Sequence, residues 1–299
     1  MALSRAHRLV EPSRSERTRD RVRRESLWLL CVAVYVAAVG LVPLAFNSQF
    51  YFFADTPDGA YGQWYELGQQ LRQGVWPIMN PAAWSAGNYL AEGQWGLWNP
   101  LILGIALFVS FSASAVVAAT VVKIVFLVIG ALGVYALVRA HGGSRLWAAV
   151  AGSVAPFAGF TLFMDATSWA TNLFTWALFA WAVAMMRVWI DRGGAWIVAA
   201  FISVYLLITV GYVQGTIMLV FFFVALLVES LARRDRTSFA RVLGAGIPAG
   251  LVALAVYLPG VLTASVTART SGIANDGFLV VSLTGLFSSS VPSGQVDLA

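Results

Sequence analysis

Long apolar runs dominate the sequence, and several of them are long enough to cross a lipid bilayer. A membrane-spanning helix needs about 20 apolar residues. Seven runs approach or exceed that length, at residues 27–46, 114–139, 146–164, 170–190, 195–211, 214–232 and 239–264. Only 11% of the residues are charged, against about 25% in a typical soluble domain. The sequence therefore predicts an all-α polytopic membrane protein with about seven transmembrane helices.

The arginines indicate how these runs cross the membrane. The run 98–112 is short, begins at an Asn-Pro pair and ends in a serine-rich turn. If this run does not span, every arginine except Arg72 and Arg269 falls on the same side as the N-terminus. If it spans, all later arginine-rich loops move to the opposite side. Because cytoplasmic loops carry the excess of Lys and Arg, we predict seven spans in the cell membrane, with a cytoplasmic N-terminus.

The predicted organisation has five parts. Residues 1–26 form a basic cytoplasmic tail, which we expect to be mostly disordered because it has no apolar face. Residues 27–46 form the first transmembrane helix, and 47–113 form an extracytoplasmic loop with interfacial helices. Residues 114–264 form a six-helix transmembrane region, and 265–299 form an extracytoplasmic tail. Since the basic tail adjoins a span, we interpret its arginines as an orientation signal, and we predict no nucleic-acid partner.

Two aspartates follow the first span closely and are the first candidates for catalysis. Asp55 and Asp58 stand within a short stretch of the end of that span, so they stay near the membrane surface. A carboxylate in such surroundings can act as a base, or it can bind a divalent cation, the one cofactor that the sequence suggests. The segment Asp-Thr-Pro-Asp-Gly also has strong turn chemistry, so a solvated turn is the alternative.

Aromatic and amide side chains fill the rest of the first outer loop. The spacing of apolar residues over 61–75 predicts an amphipathic helix that lies on the membrane. Aromatic rings can also stack on sugar rings, while amides and carboxylates bind sugar hydroxyl groups. The residues that could bind substrate in this way are Tyr61, Gln63, Trp64, Asn80, Asn88, Glu92 and Gln94.

Several short motifs in this order resemble a known family. The first is Asp55 with Gln63 after it, followed by "GVWPIMNP", "SAGNYL" and "EGQWGLWNP". Further motifs are "VRAHGGSRLWAAVAGSVAPFAGF" at 138–160 and "YLPGVLTASVTAR" at 257–269. Together they resemble the bacterial YfhO-type membrane proteins, within the C superfamily of glycosyltransferases (GT-C). The resemblance covers roughly residues 50–270.

The resemblance implies an enzyme whose active site faces the outside of the membrane. Its donor would be a sugar linked to polyprenyl phosphate, and its acceptor a cell-envelope polymer or lipid. The essential aspartate of the family would be Asp55, with Asp58 as the near alternative. The chain departs from the family at Met79, where members usually have Trp. Members are also considerably longer, so an N-terminal fragment is one reading of this chain.

Three functional hypotheses remain open at this stage. The leading one is sugar transfer, with Asp55 as the base. Arg269, after the last span, either binds the donor phosphate or anchors the helix end to lipid headgroups. The second is transport of a lipid or solute, because Lys123 is an ionisable group inside a predicted span. The third is a non-catalytic membrane scaffold. All three have membrane lipids as partners.

Overall fold

The computed structural model describes residues 14–81 and 87–263, and this part of the chain is mainly helical. Its α-helices are α1 (Arg14–Leu41), α2 (Tyr61–Arg72), α3 (Pro100–Phe111), α4 (Ala115–Ala140), α5 (Arg145–Val154), α6 (Ala170–Arg192), α7 (Trp196–Thr209), α8 (Val213–Ala232) and α9 (Arg236–Thr263). Two π-helical turns occupy Thr56–Ala60 and Thr161–Asp165. Strands β1 (Met79–Asn80) and β2 (Gly87–Asn88) pair antiparallel, with Met79 opposite Asn88.

Within the described residues, five helices are long and apolar enough to cross a membrane: α1, α4, α6, α8 and α9. Their positions agree with five of the seven predicted spans. The other two predicted spans, 146–164 and 195–211, contain shorter helices. α7 has 14 residues, which corresponds to about 21 Å at 1.5 Å per residue, less than the roughly 30 Å of a bilayer core. The prediction of seven spans is therefore not confirmed.

The predicted span 146–164 is interrupted at a proline. Helix α5 ends at Val154, and a 3₁₀ turn that contains Pro156 follows it. Proline lacks the N–H that an α-helix needs and clashes with the preceding turn, which explains the break. The chain then forms the π-helical turn Thr161–Asp165. As a result, the segment before α6 is irregular and places backbone carbonyl groups next to α4.

We predicted that residues 1–26 are mostly disordered, and this prediction is wrong for residues 14–26. α1 begins at Arg14, so the basic segment and the first apolar run form one helix of 28 residues. Residues 1–13 lie outside the described part of the chain. The physical reason is cooperativity: once the apolar part is helical, each further Arg or Glu extends the helix without a new nucleation step.

Helices α4 and α6 form the centre of the bundle and run parallel. Phe126 packs against Phe174, with ring centroids 3.9 Å apart. About two turns further along, Gly133 makes room for Trp181, because a Cβ on that glycine would lie 2.8 Å from the indole. Small residues allow such close helix contacts in membrane proteins. Since the contacts advance in the same direction along both helices, their C-terminal ends lie at the same end of the bundle.

That end of the bundle carries ion pairs that involve arginine. Glu25 of α1 accepts hydrogen bonds from Arg139 Nε at 2.7 Å and Arg145 Nε at 2.6 Å, which joins α1, α4 and α5. Arg187, near the end of α6, lies 3.8 Å from Glu229 of α8. The arginines of several loops therefore meet at one end, as a positive-inside arrangement requires.

The loop between α1 and α4, which was predicted to be extracytoplasmic, packs on the opposite end through α2 and α3. α2 forms within the predicted helix 61–75, and α3 is the short run that was predicted not to span. Gly68 lets the two helices touch, because a Cβ there would lie 2.0 Å from the carbonyl oxygen of Ala106. Asn99 caps α3 and donates a hydrogen bond to the carbonyl of Leu206 at 2.7 Å. The loop is thus part of the folded bundle.

Candidate functional site

A lysine lies fully buried inside helix α4. Lys123 is the ninth residue of α4, about 12 Å from its first residue. Its side chain is 0% exposed. The ammonium group donates hydrogen bonds to Thr56 Oγ1 at 2.5 Å and to the carbonyl oxygen of Thr167 at 2.7 Å. Because a buried charge is costly unless it is paired and hydrogen-bonded, these contacts stabilise the ammonium at this depth.

The same contacts bring together two segments that are distant in sequence. The Thr56 hydroxyl lies 3.0 Å from the carbonyl of Thr167 and 2.9 Å from that of Ser168, and it can donate to either. The backbone N–H of Asp55 donates to Ser168 Oγ at 3.3 Å. The turn after the first span is therefore attached to the segment before α6. We call this group, together with the buried Asp165 and its hydrogen-bond partner Asn172, the lysine cluster: Asp55, Thr56, Lys123, Asp165, Thr167, Ser168 and Asn172.

Asp165 is the buried acid of the lysine cluster. It ends the π-helical turn before α6, outside the five long apolar helices, and is 2% exposed. Burial raises the pKa of Asp165 to about 7, although the hydrogen bond from Asn172 and the charge of Lys123 act in the opposite direction. Asn172 Nδ2 donates to its carboxylate at 2.7 Å. The attraction of Asp165 and Asp55 for Lys123 partly offsets the cost of burying the ammonium.

Asp55, the first predicted catalytic residue, has an exposed side chain and a fixed backbone. The residue before it, Ala54, has φ +46°, a left-handed conformation that costs a non-glycine residue about 1–2 kcal/mol. Backbone strain of this kind is common at functional sites. Asp58 is also exposed and lies in the first turn of the π-helical segment Thr56–Ala60. Both carboxylates are therefore accessible at this end of the bundle.

The aromatic residues of α2 do not form one open platform. Trp64 is 1% exposed and stacks on Phe174 with ring centroids 5.4 Å apart. We therefore correct its predicted role: Trp64 belongs to the hydrophobic core and is not open to a sugar ring. Tyr61 is half-buried and stacks on the exposed Tyr65, with centroids 6.4 Å apart. Of the three aromatic side chains of α2, only Tyr61 and Tyr65 therefore remain accessible to a membrane or a ligand, together with their polar neighbours.

Three predicted substrate-binding amides hold the loop itself. Asn80 is buried, and its Nδ2 donates to Gln63 Oε1 at 2.8 Å. Tyr89 OH donates to the carbonyl of Gln63 at 2.8 Å. Asn88 Oδ1 accepts from the backbone N–H of residues 90 and 91, each at 3.0 Å. These bonds give the three amides a structural role in the loop.

Glu92 and Gln94 lie together near the turn that carries the aspartates. Glu92 Oε2 accepts hydrogen bonds from Trp95 Nε1 at 3.1 Å and from Gln94 Nε2 at 3.4 Å. The Trp95 ring faces Gly59, and a Cβ on that glycine would lie 3.8 Å from it. The structure thus brings Glu92 and Gln94 to the side of the Asp55 turn. Arg269, predicted to bind phosphate, lies outside the described residues.

Sequence reasoning missed the part of the site that follows α5. Lys123 was recognised as ionisable within a span, and Asp165 only as one of several outer acids. The available signal was an acid and three hydroxyl residues close behind a span that contains Pro156. Among residues 14–81 and 87–263, no group of three or more His, Cys, Asp or Glu is placed to hold a metal ion. The predicted divalent cation stays a prediction.

The chain matches no known protein family, no curated protein and no solved structure. Its class follows from its own structure: it is an all-α protein with several helices that are apolar and long enough for a membrane. Its most distinctive chemical feature is the lysine cluster, where a buried ammonium donates hydrogen bonds to two segments that are distant in sequence.

Proposed function

We propose that the protein is a membrane glycosyltransferase that moves a sugar from a polyprenyl-phosphate donor to a cell-envelope acceptor. The observation that carries the proposal is the position of Asp55. Its carboxylate is exposed, its backbone is fixed by Ser168, and it lies at the end of the bundle opposite the arginine ion pairs. A general base needs this combination of access and fixed geometry.

In the proposed reaction, Asp55 accepts the proton of the acceptor hydroxyl group. The acceptor oxygen forms a bond to the anomeric carbon of the sugar. The bond between that carbon and the phosphate oxygen breaks, and its electron pair leaves with the lipid phosphate. Because the leaving phosphate is stable as an anion, the step needs no general acid. Glu92 and Gln94 would orient sugar or acceptor hydroxyl groups from the side of Trp95.

An apolar cavity between α7, α8 and α9 supports a lipid-linked donor. Its volume is about 280 Å³, and its walls are almost entirely aliphatic and aromatic. At one end, Thr216 Oγ1 and Tyr257 OH share a hydrogen bond of 2.8 Å. Val256, beside that tyrosine, approaches Gly93, next to Glu92. The cavity could therefore hold an isoprenoid chain whose sugar reaches the outer loop.

Arg269 remains the proposed cation for the donor phosphate. The other arginine predicted on the outer side, Arg72, donates to the carbonyl of Ser110 at 2.9 Å and lies 4.2 Å from the centre of the Phe111 ring. It also stands at the far end of α2, about 18 Å along that helix from the Asp55 turn. Arg72 therefore serves the contact between α2 and α3 in this proposal.

Transport is the second candidate, and the burial of Lys123 within α4 favours it, since ionisable groups inside membranes often mark transport paths. The test is the purified protein in sealed vesicles with a radiolabelled polyprenyl-phosphate sugar and an envelope acceptor. We expect the label to become covalently attached to the acceptor. If the label instead reaches the vesicle interior chemically unchanged, the protein is a transporter and the enzyme proposal is wrong. If the label is neither transferred nor transported, the result indicates a non-catalytic scaffold.

The proposed orientation gives a separate prediction. In a variant without Cys31, a cysteine at exposed Ala113 should react with a membrane-impermeant thiol reagent in intact cells. Cysteines at Ser144 and Thr237, both exposed at the arginine-rich end, should react only after the cells are lysed. The reason is the positive-inside rule. Labelling of residues 144 and 237 in intact cells, with residue 113 protected, would invert the proposed topology.

A further inference from the structure

We infer that Lys123 is a positioning residue that locks the Asp55 turn to the segment before α6 from inside a membrane-spanning helix. The inference deepens the proposed function and rests on it for the catalytic consequence. Lys123 lies in the bundle and does not face the outer surface, because its side chain is 0% exposed. It therefore acts through Thr56 and the carbonyl of Thr167, and not by touching a substrate.

The geometry forms a continuous chain of donors and acceptors. The ammonium donates to Thr56 Oγ1 and to the carbonyl of Thr167, and the Thr56 hydroxyl in turn donates to Thr167 or Ser168. Next to it, the N–H of Asp55 donates to Ser168 Oγ. Thr56 is itself fully buried. The hydrogen bonds of residues 55 and 56 thus join the Asp55 turn to residues 167–168, and Lys123 donates to both of these segments.

A lysine is a costly choice for this position, which indicates a specific use. An apolar side chain of similar length would fill the same space inside α4 without the cost of desolvating a charge. The ammonium offers something that an apolar group lacks, namely several donors directed at oxygen atoms of two separate segments. Asp165, also buried, attracts the ammonium electrostatically, although burial raises its own pKa to about 7. The arrangement therefore fixes the turn through hydrogen bonds.

We call the hydrogen bonds that join Lys123, Thr56 and residues 167–168 the latch, and the test compares three variants of it. Thr56→Val has nearly the same shape as threonine but lacks the hydroxyl, whereas Thr56→Ser keeps it. Lys123→Met removes the ammonium. We expect kcat for sugar transfer to fall about 10²-fold in Thr56→Val and Lys123→Met, because a catalytic group displaced by about 1 Å loses that much. Donor KM should change little, Thr56→Ser should stay near wild type, and the double variant should lose no more than either single one.

A second readout does not depend on catalysis. In the background without Cys31, a cysteine at buried Ala60, in the same turn as Thr56, should react slowly with a water-soluble thiol reagent. Breaking the latch should accelerate this reaction about 10–100-fold, as expected for the loss of hydrogen bonds to a charged group. Thr120→Val, at a buried hydroxyl one turn earlier on α4, is the matched control and should change neither readout.

The two readouts separate failure of the latch from failure of the proposed function. If the wild-type protein transfers no sugar but Thr56→Val exposes residue 60, the latch stands and the glycosyltransferase proposal falls. If residue 60 reacts at the wild-type rate in both Thr56→Val and Lys123→Met, the latch is wrong, whatever the activity. Thr56→Val leaves every charge in place, so it also decides the matter if Lys123→Met does not insert into the membrane.

Discussion

Asp55→Asn should reduce the single-turnover rate of sugar transfer about 10²–10⁴-fold, the typical contribution of a positioned general base. Asparagine keeps the shape of the side chain but cannot accept the proton of the acceptor hydroxyl. The backbone N–H of residue 55 would still donate to Ser168, so the turn should keep its position. The loss should therefore appear in kcat, with donor KM nearly unchanged.

Asp58→Asn is the matched control for this experiment. Asp58 is three residues away, equally exposed and of the same charge, and it belongs to the same turn. We expect it to retain most of the activity, because its side chain lies three residues beyond the position fixed by Ser168. If Asp58→Asn is inactive and Asp55→Asn is active, the role of base moves to Asp58. If both variants are fully active, the proposed mechanism is wrong.

The long helices could be predicted from sequence because their signal is local. A run of about 20 apolar residues marks a span without any knowledge of its neighbours, and α1, α4, α6, α8 and α9 lie where such runs occur. The two shorter segments show the limit of this approach. The mean hydropathy of residues 146–164 is high, but an average of this kind does not show that the helix ends next to Pro156. It also counts the apolar residues of α7 without showing that the helix stops at Thr209.

The candidate site could be predicted only in part, because its contacts are tertiary. Asp55 was found through the pattern of the first outer loop, which is contiguous in sequence. The bond between Lys123 and Thr56 joins residues 67 positions apart, and no local pattern reports it. Trp64 shows the converse error: an aromatic residue on an amphipathic helix looks like a ligand platform until the packing of Phe174 against it is known.

The loops at this end of the bundle also meet at a second place, where Gly211 touches the loop that holds Glu92. Gly211 has φ +84°, and a Cβ there would lie 1.6 Å from the carbonyl oxygen of Gly93. Gly211→Ala should therefore lower the free energy of unfolding by about 2–5 kcal/mol, through backbone strain together with overpacking. The atoms that would crowd this Cβ belong to the backbone of residues 93 and 94, so no side chain can rotate away to relieve the clash.

Gly74→Ala separates the two causes of this destabilisation. Gly74 has a similar φ of +75°, but nothing lies within 4 Å of a Cβ placed there, so its substitution should cost only the strain of about 1–2 kcal/mol. The measurement is the midpoint of thermal unfolding in detergent, with sugar transfer followed in parallel. Gly211→Ala should lower the midpoint more than Gly74→Ala does and should also reduce transfer, because it displaces the loop that presents Glu92 and Trp95. Equal midpoints for the two variants would mean that residues 93 and 211 do not pack as closely as described.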